Sequence, residues 1–361
     1  MNIVELGWNN YFKKHYLMLK NKGFVPARIA KEHKGIYQII SEEGEFPAQI
    51  SGKFRYKAES YGEFPTVGDW VLVRLNERER KGIIYEVLPR KSKFARPAPL
   101  AGKTEEQVLA ANIDFTFLVN GLVGDFNLRR IERYIAVSLE SGSEPVIVLN
   151  KSDICDDVES KLEQVKEIAG EVPILLMSAL RGDGLDNIRT KIEPGKTAVF
   201  LGSSGVGKTT IINGLIGSDN HKTGSVREFD GRGKHTTTHR ELILLPSGGI
   251  VIDTPGLREI SIWGDKDAYK SLFSDIEELA KRCKFRNCRH RNEPGCAVIE
   301  ALKSDELDER RLRNFIRLQG EMINLQKRRE EKTLQKDKRA KQKQISRYSK
   351  EIKKFRKKNL Y

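Results

Sequence analysis

Ala198-Val199-Phe200-Leu201-Gly202-Ser203-Ser204-Gly205-Val206-Gly207-Lys208-Thr209-Thr210 is the stretch from which the rest of the chain is read. Four apolar residues with the character of a buried strand run directly into the G-x-x-x-x-G-K-[ST] spacing of a phosphate-binding loop. The mostly apolar run Ile211-Ile212-Asn213-Gly214-Leu215-Ile216 follows, as the first turns of a helix would. Glycines let the backbone wrap closely, so that successive N–H groups face phosphate oxygens, and the helix N-terminus adds partial positive charge. On this reading Gly202 to Thr210 bind a nucleotide, Lys208 reaches the β- and γ-phosphates, and the Thr209 hydroxyl binds Mg²⁺.

Outward from this loop the chain alternates strands and helices. Apolar strands are expected at Phe115–Val119, Pro145–Leu149 and Pro173–Met177, and helical stretches at Leu128–Glu140, Glu159–Ala169 and Asp183–Ile192. That alternation is the mark of a mostly parallel, covered α/β sheet. Asn150-Lys151-Ser152-Asp153 ends one strand. A carboxylate at Asp153 accepts from guanine N1–H and its 2-amino group, a donor pair that adenine lacks. Ser178-Ala179-Leu180 ends another strand, where a backbone N–H would meet guanine O6. Asp253-Thr254-Pro255-Gly256 follows the strand Gly249–Ile252, placing Asp253 beside Mg²⁺ and the Gly256 N–H at the γ-phosphate. Between them, Gly231-Arg232-Gly233-Lys234-His235-Thr236-Thr237-Thr238-His239 reads as a loop that orders on γ-phosphate and metal, with Thr237 as the metal contact.

These are the parts of a GTPase in an unusual order. In Ras-like enzymes the phosphate loop comes first and N-K-x-D comes late, whereas here Asn150–Asp153 and Ser178–Leu180 precede Gly202–Thr209. A site built at strand ends needs only adjacency in space, so a circular permutation preserves it. Leu257 stands where Ras-like enzymes carry the water-positioning Gln, and a leucine cannot orient water. His235 is the candidate to supply that catalytic function, with His239 second.

At the N-terminal side, Trp8, Tyr11 or Phe12, and Tyr16 have helical spacing, and a short helix packed on the next domain is the simpler reading. Five short strand signals (Val25–Ala30, Gly35–Ile40, Phe46–Ile50, Asp69–Arg74, Gly82–Leu88) suggest a small β-barrel, with an OB-like one the leading candidate. Lys53-Phe54-Arg55-Tyr56-Lys57 interleaves charge and rings, as RNA contact requires, though barrel alternation explains it nearly as well. Pro89–Pro97 reads as a basic linker. At the C-terminal side, Cys283, Cys288, His290 and Cys296 are spaced C-x₄-C-x-H-x₅-C, a closed tetrahedral set for one structural Zn²⁺. Ser304–Asn324 is helical in pattern.

The net charge is +15, and residues 321–361 hold 16 Lys/Arg against 5 Asp/Glu, so most of the excess lies in this tail. A basic arm that meets a polyanion fits that localisation, and a solvated tail is the bland alternative. No apolar run spans a membrane and no signal-peptide pattern opens the chain, so the expectation is a cytoplasmic protein with no membrane partner. Four cysteines, three of them clustered, read as metal ligands rather than disulfides. The domains expected are 1–97, an N-terminal segment and OB-like RNA-binding barrel; 98–275, a circularly permuted P-loop GTPase; and 276–361, a small zinc-binding domain with a basic helical tail.

On Asn150–Asp153, Gly202–Thr210, Gly231–Thr238 and Asp253–Gly256 in this order, with a barrel before and a Cys/His cluster after, the chain resembles the ribosome small-subunit-dependent GTPase A family (RsgA, YjeQ or YloQ) over about residues 24–300. The resemblance implies a cytoplasmic GTPase of late 30S maturation, stimulated by the subunit, with GTP/GDP, 16S rRNA and the 30S particle as partners. A monomer is expected. The rival reading is a non-enzymatic RNA-binding assembly module whose nucleotide site is regulatory.

Overall fold

In a computed structural model the described residues are 2–18, 23–33, 35–76, 78–100, 103–217, 240–253, 273–304 and most of 306–323. Two compact units emerge, residues 1–261 and 262–361. The Gly231–His239 loop, Gly256, Leu257 and the tail beyond Ile323 lie outside the described residues, and with them the expectations for His235, Thr237 and Gly256.

The first unit opens with α1 (Asn10–Leu17), capped by Asn9, whose side chain accepts from the Tyr11 N–H at 3.0 Å. Its inner face carries Phe12, fully buried, and Trp8 and Phe12 meet Trp70 with ring centroids 4.8 and 5.8 Å apart. The helix is therefore packed on the barrel, as the simpler reading had it. The barrel consists of β1 (Val25–His33), β2 (Ile36–Ser41), β3 (Gly44–Ile50), β4 (Trp70–Asn76) and β5 (Lys81–Val87), in the closed order β1-β2-β3-β5-β4-β1. Only β3 and β5 run parallel. Between β3 and β4, Lys53–Lys57 is not strand but a short helix, α2 (Gly52–Lys57). Ser51 starts it by accepting the Phe54 N–H at 3.1 Å, a local cap that outcompetes barrel alternation.

Pro89–Pro97 is a linker only in its first half. From Lys93 the chain enters β6 (Lys93–Leu100), which pairs antiparallel with β7 (Lys103–Ala111) in a separate two-stranded sheet. Pro97 and Pro99 are compatible with it because a two-stranded ribbon leaves one edge of each strand unpaired.

Then come β8 (Phe115–Gly121), α3 (Leu128–Ser141), β9 (Glu144–Asn150), α4 (Val158–Ala169), β10 (Ile174–Leu176), α5 (Leu185–Lys191), β11 (Thr197–Leu201), α6 (Lys208–Ile216), β12 (Arg240–Leu244) and β13 (Ile250–Asp253). The sheet order is β10-β9-β8-β11-β13-β12, parallel except for β12. Its strands are continuous apolar runs, because helices cover both faces of a parallel sheet. Phe117, Val119, Val146, Val148, Phe200 and Val251 pack on Ile188, Ile211 and Leu215 of the helices.

β12 also pairs with β1 (Lys31↔Glu241, Glu32↔Arg240), so barrel and α/β sheet are one continuous eleven-stranded sheet. Lys31–Glu241 (2.5 Å) and Arg240–Glu32 (3.8 Å) cross that seam with opposite charges. Arg28, 1% exposed, fastens the junction from inside. It donates to the carbonyls of Leu6, Gly68 (3.2 Å) and Asn112 (3.3 Å) and to the Thr197 hydroxyl (2.8 Å). Burial lowers its pKa to about 10, a shift that Asp114 and Asp69 oppose.

The second unit holds α7 (Ser274–Lys281), α8 (Ala297–Lys303) and helical residues from Glu309 to Ile323 among those described. That last helix starts after Asp308, whose carboxylate accepts the Arg311 N–H at 3.1 Å, not at Ser304. Phe273 and Phe315, both buried, meet edge-on at 5.4 Å.

Candidate functional site

Every described nucleotide-site candidate of the sequence lies at the C-terminal edge of the parallel sheet, where α/β folds bind ligands. β11 runs out at Leu201 into Gly202–Gly207, and α6 begins at Lys208. Parallel pairing of β8 and β13 to β11 puts their ends on either side of the loop, with Asp253, half-buried, closing β13. Lys208 Nζ donates to the carbonyls of Gly202 (2.7 Å) and Ser203 (2.5 Å), which folds the lysine back over its own loop. Thr209 and Thr210 are exposed on the first turn of α6.

Asn150 binds the separate segments together. Its Nδ2 donates to the Val206 carbonyl at 2.7 Å, and its Oδ1 accepts the Ala179 N–H at 2.9 Å. One buried side chain thus spans the phosphate loop and the Ser178–Leu180 turn, and the Ala179 amide is engaged by it. Gly207, at φ 103, is glycine for the same reason: a Cβ there would lie 2.2 Å from Asn150 Nδ2. Lys151 takes a left-handed conformation (φ 69), and its aliphatic stem lies over Gly121. Asp153 sits in the following 3₁₀ turn, Ser152–Ile154, half-buried. Ser178 is fully buried and pairs with Asp183. The left-handed backbone of Lys151, a non-glycine residue, is tolerated where the surroundings fix it, commonly at functional sites.

One neighbour of the loop escapes sequence reasoning. Asp125, in the turn between β8 and α3, accepts a short hydrogen bond from the Ser203 hydroxyl. Arg130 Nη2 holds Asp125 at both its Oδ1 and its carbonyl, each at 2.7 Å. The nearest sequence signal is the helix start Asn127, which caps α3 by accepting the Arg130 N–H at 3.1 Å.

In the second unit the ligand atoms of Cys283, Cys288, His290 and Cys296 lie within 4.8 Å of one another. Cys283 Sγ is 3.9 Å from Cys296 Sγ and 3.7 Å from His290 Nδ1, and His290 Nδ1 is 3.4 Å from Cys296 Sγ. A zinc tetrahedron built with ordinary bond lengths has S···S edges of about 3.8 Å and S···N edges of about 3.5 Å. The set therefore fits zinc. Burial lowers the pKa of His290, which keeps the imidazole neutral as ligation requires. Burial also pushes the Cys296 thiol up to about 12, a shift that a dication among the sulfurs would reverse. His290 is held at φ 56, a second non-glycine residue with positive φ at a candidate site.

Sheet order, phosphate loop and Asn150 bridge together define the class: a circularly permuted P-loop GTPase. The RsgA GTPase family profile matches residues 87–263. A small ribosomal subunit biogenesis GTPase RsgA from Opitutus terrae is 43% identical over 330 residues, covering 89% of this chain and 90% of its own. YjeQ from Thermotoga maritima superposes with a TM-score of 0.62 at 26% identity, over 83% of this chain and 99% of that one. YloQ, described as a circularly permuted GTPase, gives 0.60 at 25% identity over 84% and 96%. The chain belongs to the RsgA GTPase family and is a GTP-hydrolysing enzyme. The reading as a non-enzymatic module gives way to that.

Proposed function

We propose that this GTPase binds the small ribosomal subunit, acts in its late maturation and hydrolyses GTP faster on the subunit than alone. In this reading Lys208 meets the β- and γ-phosphates, with the loop amides of Gly202–Thr210 around them. Thr209, Thr237 and Asp253 surround Mg²⁺, Gly256 meets the γ-phosphate, and Asp153 accepts from guanine in a pocket that Asn150, Lys151, Ser178 and Ala179 shape, with Asn150 holding the Ala179 N–H. His235 supplies the catalytic group that Leu257 cannot. Cys283, Cys288, His290 and Cys296 hold one structural zinc, which leaves no open coordination position for chemistry. Residues 1–97, 98–275 and 276–361 divide the work into an OB-like RNA-binding barrel, the GTPase, and a zinc domain with a basic arm. The protein works in the cytoplasm as a monomer, with 16S rRNA as its contact.

The observation that carries the reading is the β1–β12 seam. β12 begins at Arg240, directly after the Gly231–His239 stretch, and it is hydrogen-bonded to barrel strand β1. A barrel that moves on RNA therefore pulls on the strand that follows the loop assigned to sense γ-phosphate. The strand order with α2 between β3 and β4 supports the OB-like assignment. The relatives' name for their role, small ribosomal subunit biogenesis, supports the partner. The test is co-sedimentation with purified 30S subunits across a salt series, with GDP or a non-hydrolysable GTP analogue. The reading expects binding that depends on the nucleotide and weakens steeply with salt. Equal binding in both states, or a shallow salt slope, overturns it.

A further inference from the structure

We propose that Asp125, neutralised by Arg130, is a positioning residue that pre-organises the phosphate loop for nucleotide through Ser203. The inference rests on the assignment of Gly202–Thr210 as the nucleotide site. A carboxylate beside a loop that receives phosphates is the wrong sign for binding, since like charges repel. Here its charge is already matched: Arg130 Nη2 lies 2.7 Å from Asp125 Oδ1 and 2.7 Å from its carbonyl. What remains for the loop is a strong acceptor without net charge, and the Ser203 hydroxyl donates to it across 78 residues of sequence.

The position of Ser203 decides more than one bond. Its carbonyl and that of Gly202 both accept from Lys208 Nζ, at 2.5 and 2.7 Å. Fixing the Ser203 side chain therefore fixes the carbonyls from which Lys208 is aimed. Arg130 itself stands on a rigid support, the first turn of α3, whose N-cap Asn127 accepts the Arg130 N–H. The chain of dependence runs from α3 through Arg130, Asp125 and Ser203 to Lys208. An acceptor on a rigid element lowers the ordering entropy that a glycine-rich loop would otherwise lose on binding. It acts on the loop and on the aim of Lys208 toward the β-phosphate that both nucleotides carry, so GTP and GDP both benefit.

The test is the affinity of the full-length protein for fluorescent GTP and GDP analogues, together with steady-state hydrolysis. Asp125→Ala and Ser203→Ala should each raise Kd for both nucleotides about tenfold, the size of one charge-assisted hydrogen bond. KM should rise with them while kcat stays within about twofold, because uniform binding is what is lost. The double variant should be no worse than either single one, since both remove the same bond. Asp125→Asn, which keeps an acceptor, should restore affinity to within about threefold of wild type. Ser203→Ala carries the test if Asp125→Ala does not fold. Wild-type affinity in both alanine variants, multiplicative losses in the double variant, or tighter binding without the carboxylate overturns the inference. Lys208→Ala separates this from the site assignment: if that variant binds GTP like wild type, the nucleotide site itself is misassigned; if it does not, only the Asp125 role is at stake.

Discussion

Replacing Arg28 by Met should unfasten the junction of the N-terminal segment, barrel and α/β sheet. The side chain volume is similar, so the loss is of hydrogen bonds. Four donations disappear, to Leu6, Gly68, Asn112 and Thr197. They are not equal. Gly68 O keeps the Asn112 Nδ2 donor at 3.0 Å, and the Thr197 hydroxyl can rotate. The carbonyls of Leu6 and Asn112 lose the donor that Arg28 gives them, at about 1–3 kcal/mol for each buried acceptor left unsatisfied. Relief from burying a cation offsets part of this. The expected net loss is about 3 kcal/mol, and at about 2–4 °C per kcal/mol for a unit of this size the midpoint should fall by about 6–12 °C. Thermal and urea unfolding followed by tryptophan fluorescence read it, because Trp8 and Trp70 meet edge-on 4.8 Å apart and the guanidinium lies 5.8 Å from the Trp70 ring. A loss under about 1 kcal/mol would refute the reasoning and mean that the buried cation is itself a burden as large as its bonds.

Three further outcomes are expected. Metal analysis should find one zinc per chain, and Cys288→Ser should lose it and make residues 273–304 sensitive to protease; full retention of zinc and protection would remove the cluster's structural role. Asp153→Asn should weaken GTP about 100-fold and gain affinity for xanthosine triphosphate, whose 2-oxo group accepts where guanine donates; competition binding with both nucleotides measures it. In the second unit, burial alone would raise Asp275, but the paired Arg311 (2.5 and 2.8 Å) outweighs burial and lowers its pKa. A depressed folded pKa means stability present above the unfolded value of 3.8 and lost as pH falls through the folded one. Wild type and Asp275→Asn should therefore differ in thermal unfolding at pH 6 and converge as the pH falls below 3.8; parallel curves would contradict this.

Much of the site was legible in the sequence because its chemistry is contiguous. Gly202–Thr209, Asn150–Asp153 and Cys283–Cys296 each place their donors within a few residues, next to apolar runs whose periodicity fixes the element. Legibility failed where partners are far apart or local signals conflict. Asp125 and Ser203 are 78 residues apart, and Arg28 and Thr197 are 169 apart, so no window contains either pair. The β6–β7 hairpin was hidden by Pro97, Pro99 and a run of basic residues that read as linker, although an unpaired strand edge accommodates proline. Lys53–Lys57 carried ring-and-charge alternation, yet the Ser51 cap made it helical. The same alternation on a helix leaves Tyr56 92% exposed, a geometry the barrel reading did not contain.

The central question is whether the small ribosomal subunit, the proposed partner, completes the active site of this GTPase. Phosphate release should be timed with saturating GTP, with and without purified 30S subunits, for wild type and His235→Ala. The account predicts that subunits raise the wild-type rate by at least about tenfold, equivalent to about 1.4 kcal/mol off the barrier, and that His235→Ala binds GTP normally but loses the increase. An unchanged wild-type rate in the presence of bound subunits, or full stimulation of His235→Ala, would contradict it.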